Sequence, residues 1–167
     1  TVISATHSVI VYSIPSANFT TSNTFCVGEI IYFTNTTPGS IATYEWQFGD
    51  GSNAFTMDAS HIYNASGAYL CSLIVMDDNG CMDTMVQNIT VSDGPIADFE
   101  YQNHCQMDSI LFTDQSTNNP VYWQWDFDDG TTSNTQNNTH YFQNYGQFNV
   151  NLSVTDAFGC VDSKIIS

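Results

Sequence analysis

Basic side chains are almost missing from this sequence. Lys164 is the single Lys or Arg, set against 17 Asp and Glu, for a formal charge of −16. Releasing counterions from a phosphate backbone takes clustered Lys and Arg, and attraction to an anionic lipid surface takes the same groups. Nucleic acid is therefore excluded as a partner, and an anionic membrane surface with it. No apolar run approaches the roughly 18 to 20 residues of a membrane span, which excludes direct membrane insertion by a helix. No window carries a sustained 3.6-residue apolar stripe with caps, so helices are not expected either. Catalytic constellations are equally scarce. A nucleophile needs a base and an orienting partner, yet no Ser or Cys stands beside the repeated His61 and His140 in both copies, and the acid pairs fall in turns. The chain is read as non-enzymatic.

What the sequence does contain is one pattern written twice. Residues 26–83 and 105–162 correspond at an offset of 79 positions without a gap. Cys26 answers to Cys105, Phe33 to Phe112, Trp46 to Trp125, Asp50-Gly51 to Asp129-Gly130, His61 to His140, and Gly80-Cys81 to Gly159-Cys160. A unit of this length has room for its own core, unlike a 20 to 50-residue solenoid unit. Two tandem domains are expected, 15–94 and 95–167, with 1–14 as the terminal strand of a preceding repeat and the last strand of the second domain cut short. On this reading the chain is a section of a longer array, and the brief link Ser92-Asp93-Gly94-Pro95 predicts a stiff rod.

Apolar residues alternate with polar ones almost throughout. Ile31 and Phe33, then Tyr44, Trp46 and Phe48, then Tyr69, Cys71, Leu73 and Val75 have the period of half-buried strands. Ile110 and Phe112, then Trp123, Trp125 and Phe127, then Phe148, Val150, Leu152 and Val154 repeat it. Gly, Asn, Asp and Pro punctuate these runs where turns need positive φ or side-chain hydrogen bonds. The fold class expected is all-β: two tandem immunoglobulin-like β-sandwiches.

The five cysteines divide into two matched pairs and one remainder. Cys26 with Cys81 and Cys105 with Cys160 have the same separation, so one arrangement would bridge both and give each domain its own internal disulfide. Paired structural disulfides imply an oxidising compartment. Cys71 alternates with Leu73 and Val75 and is expected as a buried thiol acting as a small hydrophobe.

The turns Trp46-Gln47-Phe48-Gly49-Asp50-Gly51 and Trp125-Asp126-Phe127-Asp128-Asp129-Gly130 are each followed by a histidine and an aromatic, a Gly-x-aromatic strand start and a valine-rich strand ending in Asp. This combination resembles the PKD domain family, whose pattern runs Trp-Asp-Phe-Gly-Asp-Gly, then His-x-Tyr, then a Gly-x-Tyr-x-Val strand, on an immunoglobulin-like sandwich. Gln47 replaces the usual Asp in the first copy, and Asp128 the usual Gly in the second. The early Cys and the Gly-Cys after the last Asp further resemble disulfide-bearing PKD repeats of large Bacteroidetes-type surface proteins. The resemblance implies an extracellular or cell-surface location and a non-catalytic role. The first expectation is a segment of a surface adhesin or filament, acting as a stiff spacer with weak multivalent adhesion. The alternative is an accessory, polymer-presenting array of a secreted hydrolase or protease. Neighbouring repeats of the same chain, extracellular polysaccharide and other surface proteins are the partners expected.

Asp126, Asp128 and Asp129 alternate around a Gly turn and are candidate Ca²⁺ ligands, Ca²⁺ being the one cofactor considered, since hard oxygen donors on a bent loop suit it. His61 and His140 lack a second ligand at zinc-like spacing and are expected to bond turn backbone. His104 stands beside Cys105. Thr84 and Ser109 fall in Asp-Thr-Met and Asp-Ser-Ile triplets that resemble an O-glycosylation signal of the same bacterial group. Tyr12, Tyr32, Tyr101 and Tyr122 are candidates for stacking on sugar rings if exposed.

Overall fold

A computed structural model describes residues 9–102 and 109–167. Among these residues there is no helix, and hence none long and apolar enough to cross a membrane. The first repeat contributes β1 (Phe19–Thr21), β2 (Ile30–Asn35), β3 (Ile41–Gln47), β4 (Asn53–Ala54), β5 (Ala59–Ile62), β6 (Gly67–Asp77) and β7 (Met82–Val91). The second contributes β8 (Phe99–Tyr101), β9 (Ile110–Asp114), β10 (Pro120–Asp126), β11 (Thr132–Ser133), β12 (Asn138–His140), β13 (Val150–Asp156) and β14 (Val161–Ile166). Each repeat forms a three-stranded and a four-stranded sheet, in the orders β1-β2-β5 and β4-β3-β6-β7, then β8-β9-β12 and β11-β10-β13-β14. This is the sandwich that period-two patterning requires, because each sheet must cover one apolar face. Even the irregularities repeat: the register of β3 on β6 shifts between Ile41 and Thr43, and that of β10 on β13 between Pro120 and Tyr122.

By packing, the chain divides into two compact units whose limits differ from the sequence repeats. The first holds Tyr32–His61, Tyr69–Ile89 and the chain up to Thr21; the second holds Ser22–Ile31, Ile62–Ala68 and the chain from Thr90 onward. The first is built on Phe19, Phe33, Trp46, Phe48, Cys71, Leu73, Val75 and Ile89, all buried. Its rings meet edge-on or tilted, Phe19 on Trp46 at 5.1 Å and Phe33 on Phe48 at 5.2 Å. The second buries Phe99, Phe112, Trp125, Phe127, Val150, Leu152 and Val154 around Ala97. Each such side chain contributes roughly 1.5–3 kcal/mol of transfer free energy.

Val9–Ile14 lie outside any strand, with Val9 and Val11 88% and 87% exposed, and residues 1–8 are outside the described residues. One expectation fails locally. Phe148 was expected in the strand of Val150, but β13 starts at Val150, whereas β6 reaches back to Gly67. The cause is the residue after the buried Phe of the turn. Gly49 (φ 86°) lies so close to the start of β6 that an added Cβ would stand 2.8 Å from the Leu70 carbonyl oxygen and 2.9 Å from its amide nitrogen. Asp128 holds that place in the second repeat at φ 61°, and its Oδ2 accepts the Asn149 amide at 2.9 Å and Nδ2 at 3.0 Å. A carboxylate thus replaces the strand contact that a glycine permits. Gly49→Ala should destabilise the first unit by about 2–3 kcal/mol, combining the positive-φ cost with the clash. Chemical denaturation checks this, and an unchanged midpoint would show that the backbone gives way freely.

Candidate functional site

The most elaborate polar arrangement in the molecule occurs twice, at the Asp-Gly turn after β3 and after β10. In the first copy Asp50 Oδ1 accepts the Ser52 amide at 3.0 Å and the Ser52 hydroxyl, while Oδ2 lies 2.7 Å from His61 Nε2 on β5. In the second, Asp129 Oδ1 accepts the Thr131 amide at 3.0 Å and hydroxyl at 2.6 Å, and Oδ2 lies 2.8 Å from His140 Nε2 on β12. An ionised carboxylate only accepts, so the ring nitrogen donates. Each imidazole also lies flat on the buried Phe of its turn, His61 on Phe48 at 4.3 Å and His140 on Phe127 at 4.0 Å, both 8° from parallel. Histidine therefore ties the turn to the opposite sheet through the Asp side chain. The signal was present in the sequence, since Asp, hydroxyl and His recur at one offset, but residues 50, 52 and 61 are adjacent only once the sheets stack.

Ser52, His61 and Asp50 also have the residue types of a nucleophilic relay. A relay needs Asp on one ring nitrogen and Ser on the other. Here both approach Nε2, Asp50 at 2.7 Å and the Ser52 hydroxyl at 3.3 Å, and that hydroxyl donates to the same Asp. The geometry locks a turn.

Burial pushes the Asp50 carboxyl up, but hydrogen bonds from the Ser52 hydroxyl and amide and from His61 outweigh it and hold the pKa at about 2. Burial likewise raises Asp129, and Thr131 and His140 pull it below its ordinary value. A depressed carboxyl stabilises the fold at pH above its unfolded value near 4, and that contribution is lost as pH falls through the folded value. Acid unfolding monitored from pH 5 to pH 2 should therefore show a limb that Asp50→Asn flattens. An unaltered acid limb in the variant would remove Asp50 as its source.

The remaining site residues are dispersed. Asp126 Oδ1 accepts the Asp128 amide at 3.0 Å, Asp128 turns to Asn149, and Asp129 turns to Thr131 and His140. The three carboxylates expected around Ca²⁺ thus each serve a different partner. Among the described residues no group of three or more His, Cys, Asp or Glu is placed to hold an ion. Thr84 is exposed on β7, and Ser109 is exposed just before β9. Tyr12, Tyr32, Tyr101 and Tyr122 are all exposed, at 50%, 59%, 37% and 46%. Cys71 is fully buried, and burial pushes its thiol up to about 12, so it stays protonated and inert. His104 and Cys105 lie outside the described residues.

The disulfide pairing differs from expectation. Cys26 is bonded to Cys160, and Cys81 is a free thiol; the bridge expected between Cys26 and Cys81 is not formed, and Cys160 is not available to Cys105. Strand length is the reason. Cys26 pairs with Ser92 just beyond the end of β7, whereas Cys81 directly precedes the start of β7. At about 3.3 Å per residue that strand separates the two sites by roughly 35 Å, and a disulfide needs Cα atoms within roughly 7 Å. Cys160 and Cys26 both belong to the second compact unit, with Cα atoms 5.6 Å apart. Around the bond, Val27 donates to the Ser92 carbonyl at 2.9 Å, Ser92 Oγ donates to Asp156 Oδ2 at 2.6 Å, and the Phe25 amide reaches the Phe158 carbonyl at 3.4 Å.

The sequence model for the PKD domain matches twice, over residues 12–92 and 92–167. The chain belongs to the PKD domain family. Its PKD repeats are 33% identical over 111 residues to collagenase ColA of Clostridium perfringens, covering 58% of this chain and 10% of that protein. They are 28% identical over 132 residues to the pre-pro-metalloprotease PrtV of Vibrio cholerae, covering 77% and 14% respectively. These PKD repeats thus span 10% and 14% of the two relatives. Among solved structures, fibronectin(III)-like modules of Clostridium thermocellum CbhA align with a TM-score of 0.53 at 16% identity, over 83% of this chain and 85% of theirs. That likeness concerns the sandwich fold alone.

Proposed function

We propose that this chain is a non-catalytic, extracellular PKD array that holds a protease domain of the same polypeptide against a fibrous protein polymer. The observation that carries the reading is the similarity of the repeats to a collagenase and a metalloprotease. Three further features support it. The repeated Asp–His turns spend their polar groups on each other, which suits a scaffold better than a reaction centre. The disulfide suits an oxidising, extracellular setting. Exposed Tyr32 and Tyr122 offer flat rings for contact with a polymer surface. Co-sedimentation with insoluble collagen tests the reading: the chain should pellet with the fibres, and Tyr32→Ala with Tyr122→Ala should return it to the supernatant. A chain that stays in the supernatant at every fibre concentration would sink it.

One observation favours the role of stiff spacer in a surface adhesin or filament. The Cys26–Cys160 bond joins cysteines from the two sequence repeats, and a covalent tie of that kind suits a load-bearing chain. Filaments in electron micrographs of native material, without collagen binding, would select this reading.

A further inference from the structure

Cys81 holds the place of Cys160, 79 positions earlier, and the turns that carry them agree bond for bond. Asp77 Oδ1 accepts the amides of Asn79 and Cys81 at 2.9 and 2.8 Å; Asp156 Oδ1 accepts those of Phe158 and Cys160 at 2.9 and 2.9 Å. The Asp amide donates to the Cys carbonyl at 3.0 Å in both turns, and the Gly amide to the Asp carbonyl at 3.1 and 3.2 Å. Gly80 and Gly159 share φ values of 83° and 82°. One turn thus presents two cysteines in the same way. What differs is what lies over them.

Over the second turn lies the loop between β1 and β2. A Cβ on Gly159 would stand 3.3 Å from the Thr24 methyl and 4.0 Å from the Asn23 carbonyl, and Cys26 supplies the bonded sulfur. Over the first turn a Cβ on Gly80 would meet nothing within 4 Å, and Cys81 is half-buried and unbonded. The carboxylate shows the same contrast. Asp156 Oδ2 takes the Ser92 hydroxyl at 2.6 Å, while Asp77 Oδ2 has the Asn79 side chain at 3.4 Å. Cys26 itself cannot serve Cys81, since the length of β7 lies between their positions.

We propose that Cys81 is one half of a repeat-to-repeat disulfide, and that its partner is the cysteine at the Cys26 position of another PKD repeat, docked as Ser22–Glu29 docks on the Cys160 turn. In the first repeat the early cysteine and the Gly-Cys cysteine lie at opposite ends of the last strand, so they pair with other repeats and not with each other. Closing the bond removes two protons and two electrons from two thiols. A small-molecule disulfide such as oxidised glutathione takes the electrons and leaves as two thiols, by way of a mixed disulfide.

The chain carries its own probe, because Cys105 holds the place of Cys26 in the sequence. Equimolar isotopically light and heavy chains, folded separately, are mixed in a glutathione redox buffer and mapped by peptide mass spectrometry. Disulfide-linked multimers should form, with light–heavy peptides joining Cys81 of one molecule to Cys105 of another and Cys26–Cys160 intact in each. Cys81→Ser and Cys105→Ser should each abolish the multimers while leaving the Cys26–Cys160 peptide. A Cys81–Cys105 link found only within single isotopes, a Cys26–Cys81 link, or a Cys81 that stays alkylatable once Cys26–Cys160 has formed would each overturn the proposal. None of these outcomes depends on whether the chain binds collagen.

Discussion

Replacing Cys26 or Cys160 with Ser lowers the stability of the second compact unit by about 3–5 kcal/mol. The two residues are 134 positions apart, and closing a loop of that length removes roughly 5 kcal/mol worth of unfolded-chain entropy in the simplest model, with measured bridges more often giving 2–4. In a unit of this size that is a fall in melting temperature of about 10 °C or more. Calorimetry of Cys26→Ser, Cys160→Ser and the double variant, each beside the chemically reduced parent, makes the comparison. The singles and the double should coincide, because each removes the same bond. A Cys26→Ser variant that melts with the oxidised parent would mean that the bridge contributes no constraint. The corresponding Cys81→Ser change, tested on the monomer, should leave the melting temperature within about 1–2 °C, since Cys81 is unbonded there.

Trp125→Ala has the next largest effect. The ring is fully buried and meets Phe99 at 5.0 Å, Phe112 at 5.8 Å and Phe127 at 6.1 Å, and its Nε1 donates to the Thr135 carbonyl at 2.9 Å. Removing it leaves a cavity among aromatic neighbours and takes one of two donors from the Thr135 carbonyl, which keeps Asn138 Nδ2 at 3.2 Å. Large-to-small changes of this kind cost about 3–5 kcal/mol, with the lost hydrogen bond adding about 1 kcal/mol. Trp125→Phe restores much of the volume without the donor and should cost about half as much. Urea unfolding should show the midpoint falling in the order parent, Phe, Ala, by about 2 M in the last case. A reversed order, or a shift too small to resolve, would mean that the ring is not packed as described. Trp46, with Nε1 bonded to the Thr56 carbonyl at 2.9 Å, should behave alike in the first unit.

Most of the sandwich was legible without coordinates. Ile31, Phe33, Trp46, Phe48, Cys71, Leu73 and Val75 are buried as their alternation implies, and their counterparts from Phe112 to Val154 follow them. The core aromatics were legible for a physical reason: a strand side chain faces one of two sides, and successive positions alternate. The start of β13 was not, because alternation continues through Phe148 whether or not the backbone pairs. Only the Asp128 carboxylate, folded onto the Asn149 amide, ends the strand there. The Asp–His turns were half legible. The residues were marked by their recurrence, but the carboxylate partner of each histidine comes only from the stacking of the sheets.

The charge balance, the repeat, the strand faces and the turn chemistry follow from residue order, because each depends on neighbours a few positions apart. The cysteine pairing does not. Equal spacing made two internal bridges look natural, yet spacing along a chain carries no information about which ends of a ten-residue strand two loops occupy. Once β7 is extended, Cys81 and the position of Cys26 lie at its two ends, and the sulfur that comes within bonding distance of Cys26 belongs to Cys160. A covalent bond forms by distance through space, and that distance exists only after the strands have been laid down.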